Sequence, residues 1–307
     1  MANAPILQVA DLTKHYGDTR AVDGISFAVP SACVFTILGP NGAGKTTTLE
    51  ILEGIRQPDS GKLILFGEPM TRVDRNAKQR MGVLLQEGGF EPQLRVHEVI
   101  HLFASFFDHH LPVDDVLKMV ALEEKARAQV RTLSGGQRQR MAVGVALVND
   151  PDVVFLDEPT TGLDPQARRN MWDIVTTLRE RGKTIILTTH YMEEAEALSD
   201  TVCVMDHGKI IAEGSPRTLT GRLGEETLIE FRMDAIENDD LVHLRTFCQA
   251  VHVDGLHVTL ETSDLPQTMG ELLTWSKQGA VPFHDLHVRQ PNLEDVFLAL
   301  TGRTLRE

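Results

Sequence analysis

The chain has 307 residues, 42% of them hydrophobic and 5% aromatic, enough apolar material for a sizeable aliphatic core in one large domain or two. A net charge of −14 argues against a nucleic-acid partner, because such proteins need a basic face against phosphates. Nowhere do about 18 apolar residues run together, so no spanning helix is expected, and the start lacks the basic-then-apolar pattern of a signal peptide. Cys33, Cys203 and Cys248 stand far apart without a CxxC pair and read as buried thiols of a reducing compartment.

The opening segment, ILQVADLTKHYGDTRAVDGISFAV, alternates apolar and polar residues around a Tyr-Gly-Asp turn, as hairpin strands do. Val34–Leu38 is a continuous apolar run of the kind buried in a parallel sheet, and it leads into a glycine-rich loop with a helix predicted from Lys45. Gly61–Gly67 and Met81–Leu85 read as strands. From about Val96 to Met141 the apolar spacing becomes helical. Val153–Leu156 and Thr184–Thr188 are again buried strands, separated by the helix QARRNMWDIVTTLRERG, which ends in Gly182. Alternating strands and helices predict a largely parallel α/β core.

Near residue 221 the texture changes. Residues 221–307 hold 7 Lys/Arg against 15 Asp/Glu, so more than half of the net charge lies in this shorter part. The predicted order there is strand-helix-strand-strand-helix-strand, a ferredoxin-like arrangement with a hairpin over Asp254-Gly255, followed by a helix capped by Asn292. The expected domains are therefore 1–220, containing a helical region over about 87–145, and an accessory α+β domain over 221–307.

The loop Gly39-Pro40-Asn41-Gly42-Ala43-Gly44-Lys45-Thr46 between strand and helix is an anion trap. Its glycines let several N–H groups face inward, and the helix start adds partial positive charge. Lys45 can reach the β and γ phosphates and the Thr46 hydroxyl can take a place on Mg²⁺. A second carboxylate is needed for the metal, and Asp157 supplies it at the end of a buried strand. Glu158, one residue on, is placed to polarise an attacking water.

Leu133-Ser134-Gly135-Gly136-Gln137 lies twenty residues before Asp157, and with it the sequence resembles the ATP-binding cassette (ABC) ATPases over residues 6 to about 220. That resemblance implies a phosphate-loop NTPase core with antiparallel β and α-helical subdomains, and it implies further roles. Tyr16 would stack on adenine. Gly39 to Thr46, with Thr47, would bind the phosphates of ATP. Gln86 would touch Mg²⁺ or the attacking water, and His190 would sense the γ-phosphate. Lys45, Gln86, Glu158 and His190 form the expected catalytic set, and Thr46, Gln86 and Asp157 the expected metal set. Ser134, Gly135, Gly136 and Gln137 would face ATP held by a second copy in a head-to-tail dimer, with Asp164 between the two sites.

Within the family the sequence resembles cassettes of daunorubicin-resistance-type drug and lipid exporters, on LQEGGFEPQLRVHEVI, DEPTTGLDP and the tail helix from Pro291. This implies a peripheral subunit on the cytoplasmic face of the membrane, docked to a separate permease. Phe90, Leu94 and Val96 are candidate exposed contacts for that permease, with ordinary core packing the equal alternative. A soluble mechanical ATPase would bring two cassettes or long coiled coils. Only about 87 residues separate Lys45 from Thr132, without heptads. Sugar importers of the family tend instead to carry β-barrel tails, which the strand-helix order here does not suggest. A purely regulatory ATP-binding module would not need Glu158 and His190. Five tail histidines (243, 252, 257, 284 and 287) lack the dense spacing of a metal site.

Overall fold

Period-two alternation inside continuous apolar strands decides the architecture. The computed structural model describes residues 5–70, 73–84, 89–223, 227–279 and 281–302. In chain order the first elements are β1 (Pro5–Tyr16), β2 (Thr19–Pro30), β3 (Val34–Leu38), α1 (Lys45–Leu52), β4 (Ser60–Leu65), β5 (Glu68–Met70), α2 (Arg75–Gln79) and β6 (Met81–Val83). Then come α3 (Val96–Ala104), α4 (Val113–Met119), α5 (Gly135–Ala146), β7 (Val153–Asp157), α6 (Pro165–Glu180), β8 (Thr184–Thr189) and α7 (Met192–Leu198). They are followed by β9 (Thr201–Asp206), β10 (Lys209–Gly214) and α8 (Pro216–Thr220).

A six-stranded sheet of order β10-β9-β3-β8-β7-β6 forms the centre, and its pairs from β9 to β6 are parallel. Val34, Val154, Leu156, Ile185 and Leu187 face one core, built with α3 to α7, while Phe35, Ile37, Val153, Phe155 and Ile186 face a second. That second core is closed by α1 and by the antiparallel sheet β2-β1-β4-β5. Both faces of the parallel strands are therefore covered, which is why their sequences are apolar throughout.

Two strands that the sequence pattern does not single out, β9 and β10, add an antiparallel edge hairpin. Its turn has His207 at φ 46° and Gly208 at φ 75°, so histidine takes a position where Asn or Asp would give a readable signal. Phe90, Leu94 and Val96 are not exposed contacts. Val96 is fully buried, Phe90 packs edge-on against Phe103 at 5.7 Å, and Leu94 joins the same core. Among the described residues of this region, the large apolar side chains left exposed are Leu102 and Phe106.

The chain divides into two compact units, one through Pro216 and one over Arg217–Thr304. The second contains β11 (Thr227–Met233), α9 (Asn238–Leu244), β12 (Ala250–Asp254), β13 (His257–Thr262), α10 (Leu265–Gly279), β14 (Phe283–Arg289) and α11 (Leu293–Thr301). Its antiparallel sheet has the order β12-β13-β11-β14, the ferredoxin-like topology. Ile229, Phe231, Val258 and Leu260 on the sheet pack with Leu244 and Leu272 from α9 and α10. The hairpin turn falls on Gly255 and Leu256, one residue later than expected, because Asp254 still pairs with His257. Asn292 caps α11 in a reciprocal box with Asp295. Among the described residues no helix is long and apolar enough to cross a membrane, and no cluster of His, Cys, Asp and Glu could hold a metal ion. His252 is paired with Glu261 at 2.8 Å instead. The three cysteines are free; Cys33 and Cys203 are buried, and burial pushes the Cys33 thiol up to about 11.

Glu53, at the end of α1, is a buried carboxyl 7% exposed. Burial, with help from the charges of Asp157 and Glu50, raises it from its ordinary 4.5 to about 8. A carboxyl raised on folding costs nothing below pH 4.5, where it is protonated in both states. The cost grows by about 1.4 kcal/mol per pH unit as pH rises toward the folded value. Glu53→Gln should therefore gain little stability over the parent at pH 4.5 and progressively more toward pH 8, measured by urea unfolding. An equal difference at both pH values would contradict this.

Candidate active site

The site lies at the carboxyl ends of β3, β8 and β7, three neighbouring parallel strands in register, with Leu38 opposite Thr189 and Asp157 opposite Thr188. Glycine is obligatory where the loop after β3 turns. A Cβ on Gly39 would lie 2.2 Å from Met205 O, and one on Gly44, at φ 103°, would lie 2.1 Å from Ala21 O. Gly42, at φ 80°, faces open space. Gly44 caps α1 in a left-handed conformation that a side chain would strain. Asn41 and Gly42 are exposed, Ala43 is buried, and Thr46 and Thr47 are half-buried on the first turn of α1.

Lys45 is 4% exposed, and its ammonium donates to the carbonyls of Gly39 at 3.0 Å and Pro40 at 3.1 Å. Its third close neighbour is Glu158 Oε1 at 3.3 Å. The other oxygen, Oε2, lies 3.2 Å from His190 Nδ1 and accepts from Thr161 Oγ1 at 3.1 Å. Glu158 sits at φ 45°, a backbone conformation costly for a non-glycine residue, held by its N–H donating to Thr188 O and Oγ1. Burial alone would raise this carboxyl, but Lys45, His190 and the Thr161 hydroxyl outweigh it and leave Glu158 below the usual carboxylate range. Asp157 goes the other way. Burial raises it, against hydrogen bonds donated by the hydroxyls of Thr188 and Thr46, the latter at 3.4 Å. Two adjacent carboxyls with opposed shifts are the pattern of two separate tasks.

Tyr16, at the end of β1, is 42% exposed, with the Lys14 ammonium 5.8 Å and the Arg56 guanidinium 5.4 Å from its ring centroid. The β1–β2 hairpin is docked on the glycine loop where Ala21 O meets Gly44. Arg56 lies forty residues from Tyr16 in sequence, so no local signal pairs them. Gln86 lies outside the described residues.

Ser134 caps α5 and forms a reciprocal box with Gln137. Gln137 N–H donates to Ser134 Oγ at 3.2 Å, and Ser134 N–H donates to Gln137 Oε1 at 3.0 Å. Gly135 is open to solvent. Gly136 is tight: a Cβ there would lie 2.7 Å from Ala167 Cβ on α6. Asp164 caps α6, accepting from Ala167 N–H at 2.8 Å. The family resemblance implies a place for Asp164 between two sites; in this structure its side chain serves as the cap of α6.

A family profile described as ABC transporter matches residues 22–161. The chain is 43% identical to the Nod factor export ATP-binding protein I of Ralstonia nicotianae, over 100% of this chain and 97% of that protein. The namesake from Burkholderia lata is 42% identical over the whole of both chains. The chain belongs to the ABC transporter family, as an ATP-binding subunit. Among solved structures, cbiO1 from Clostridium perfringens, part of an ABC transporter complex, matches at TM-score 0.64 with 29% identity, covering 71% of this chain and 92% of that one. A dimeric ATP-binding cassette bound to ADP and Pi matches at TM-score 0.61 with 24% identity, covering 68% and 98%, and shares the fold. As a member of this family the protein binds ATP and is an ATPase coupled to transport.

Gly136→Ala tests the α5–α6 contact. Helix propensity alone would favour Ala by about 1 kcal/mol. Overpacking against Ala167 costs about 1–3 kcal/mol. We expect a net loss of stability in chemical denaturation, whereas a gain of about 1 kcal/mol would show that the helices separate freely.

Proposed function

We propose that this subunit hydrolyses Mg·ATP with Glu158 as the base, between two copies of the chain, and thereby drives an exporter. The observation that carries the reading is the position of Glu158, whose charged carboxylate is held between the Lys45 ammonium and the His190 ring. In this scheme Glu158 polarises a water toward the γ-phosphate and accepts its proton. Lys45 leaves the carboxylate for the β and γ phosphates, and His190 contacts the γ-phosphate. Backbone N–H groups of Gly42 to Thr46 hold the β-phosphate, Thr47 adds a contact, and Tyr16 offers its exposed ring to adenine.

The residues present fit a magnesium ion: a threonine hydroxyl and a carboxylate already meet at 3.4 Å in Thr46 and Asp157, an oxygen pair of the kind the ion prefers. Thr46 and Asp157 would hold it, with Gln86, and when bound it neutralises charge on the phosphate oxygens.

The capping box leaves the N–H groups of Gly135 and Gly136 at the exposed start of α5, a second anion-binding end. We assign Ser134 to Gln137, with Asp164, to ATP on the opposite copy in a head-to-tail dimer. Residues 1–220 form the ATPase domain and 221–307 an accessory domain for dimer contacts or regulation. The named relatives are export proteins, which supports export as the direction, of a drug-like or lipid-like cargo through a separate permease at the cytoplasmic face of the membrane. The exposed Leu102 and Phe106 are the apolar side chains we assign to that permease contact.

Glu158→Gln keeps the shape and removes the base. Phosphate release should fall on the order of 10²–10⁴-fold while ATP binding persists. ATP should then hold the variant as a dimer in light scattering; turnover at the parent rate would overturn the assignment.

A further inference from the structure

Four residues beyond His190 lies a carboxyl that the scheme above does not use. Glu194, on the first turn of α7, is fully buried. Its Oε1 accepts from Trp172 Nε1 on α6 at 3.2 Å. Its Oε2 is buried and has no hydrogen-bond partner, and the same holds for the buried Thr160 Oγ1. Burial raises this carboxyl, against the hydroxyls of Thr189 and Thr160, the Trp172 ring N–H and, more weakly, the charge of Arg168. An isolated carboxylate in such a place is strongly disfavoured, so a buried acid with three polar neighbours around it is a built feature.

What those donors belong to gives the feature its meaning. Thr189 and Tyr191 flank His190, and Thr189 Oγ1 accepts from Tyr191 N–H at 2.9 Å. The same hydroxyl lies beside the Glu194 carboxyl and draws it down against burial. Thr189 O also accepts from Gly39 N–H at 3.3 Å, tying the same residue to the phosphate loop. Thr160 lies inside the turn closed by Thr161 N–H donating to Glu158 O at 3.2 Å. One carboxyl thus faces the turn that presents His190 and the turn that presents Glu158, whose side chains stand 3.2 Å apart. On the α6 side, Arg168 lies 4.6 Å from the Tyr191 ring, which lies 4.1 Å from the His190 ring.

We propose that Glu194 is a positioning residue for ATP hydrolysis: buried beside Thr189 and Thr160 and anchored to α6 by Trp172, it keeps the His190 turn and the Glu158 turn in one fixed relation. The proposal rests on the assignment of Glu158 and His190 above. Glu194 touches neither nucleotide nor water and acts by holding the two groups that do. Loss of a positioning group misplaces the reacting atoms without removing a nucleotide contact, so it lowers kcat and spares ATP binding.

The test uses the full chain with Glu194→Ala, Glu194→Gln and Trp172→Phe, each checked for folding by circular dichroism and for nucleotide sites by fluorescent-ATP titration. For Glu194→Ala we expect kcat to fall on the order of 10-fold to 10²-fold, with KM for ATP within about twofold. Glu194→Gln keeps an acceptor for Trp172 and should recover most of the rate, and Trp172→Phe should lose less than Glu194→Ala. The imidazole ¹⁵N signals of His190 should shift in Glu194→Ala, a readout that lost stability alone does not move. A Glu194→Ala protein that melts earlier but keeps parental kcat and unshifted His190 signals overturns the proposal. If Glu194→Ala does not fold, Trp172→Phe decides: kcat should fall at unchanged KM with shifted His190 signals, and parental kcat with unshifted signals would equally overturn the proposal. Parental turnover in Glu158→Gln would instead strike the underlying assignment, so the two failures are distinguishable.

Discussion

The register of β3, β8 and β7 is the constraint on which the site depends. Three parallel strands end level, so the glycine loop, the Thr188–Thr189 pair and the Asp157–Glu158 pair emerge side by side. A one-residue slip of β7 would turn Asp157 into the opposite face and send Phe155 and Leu156 to the wrong cores. The apolar alternation that fills two cores is thus also what aims the carboxylates. Stability and chemistry share one pattern here, and neither can be moved without the other.

Electrostatics then divides labour between neighbours. Asp157 is buried and raised, and Glu158 is drawn down by the Lys45 ammonium and held at a strained backbone angle. Lys45 is the common element, since it also closes the glycine loop on itself through Gly39 and Pro40. A cation so placed keeps Glu158 charged, and in the proposed scheme it exchanges that partner for phosphate when nucleotide enters. The same economy shows at the start of α5, where Ser134 and Gln137 spend their side chains on each other and leave the backbone N–H groups of the first turn to the proposed second site.

Much of this was legible in the sequence because it is local. The glycine loop, the apolar run into Asp157-Glu158 and the Ser134 cap are each written within a dozen consecutive residues, and the ferredoxin-like tail is a simple succession of alternating patterns. What escaped is long-range. Nothing near Glu53 or Glu194 in sequence marks either carboxyl as buried, and Arg56 meets Tyr16 only after the sheet forms. Phe90, Leu94 and Val96 read equally as surface or core, because a loop with charged neighbours hides an apolar core beneath it. The His207-Gly208 turn concealed a hairpin because histidine is an uncommon occupant of that position.

The central claim, that phosphate is held by one copy and faced by Ser134–Gln137 of another, is tested most directly by a crystal structure of the Glu158→Gln chain with Mg·ATP. The account predicts two copies head to tail, Lys45 on the β and γ phosphates and no longer paired at position 158, and the second copy's α5 start against the γ-phosphate. A single copy binding ATP with Lys45 away from the phosphates, or a dimer with α5 turned from the nucleotide, would contradict it.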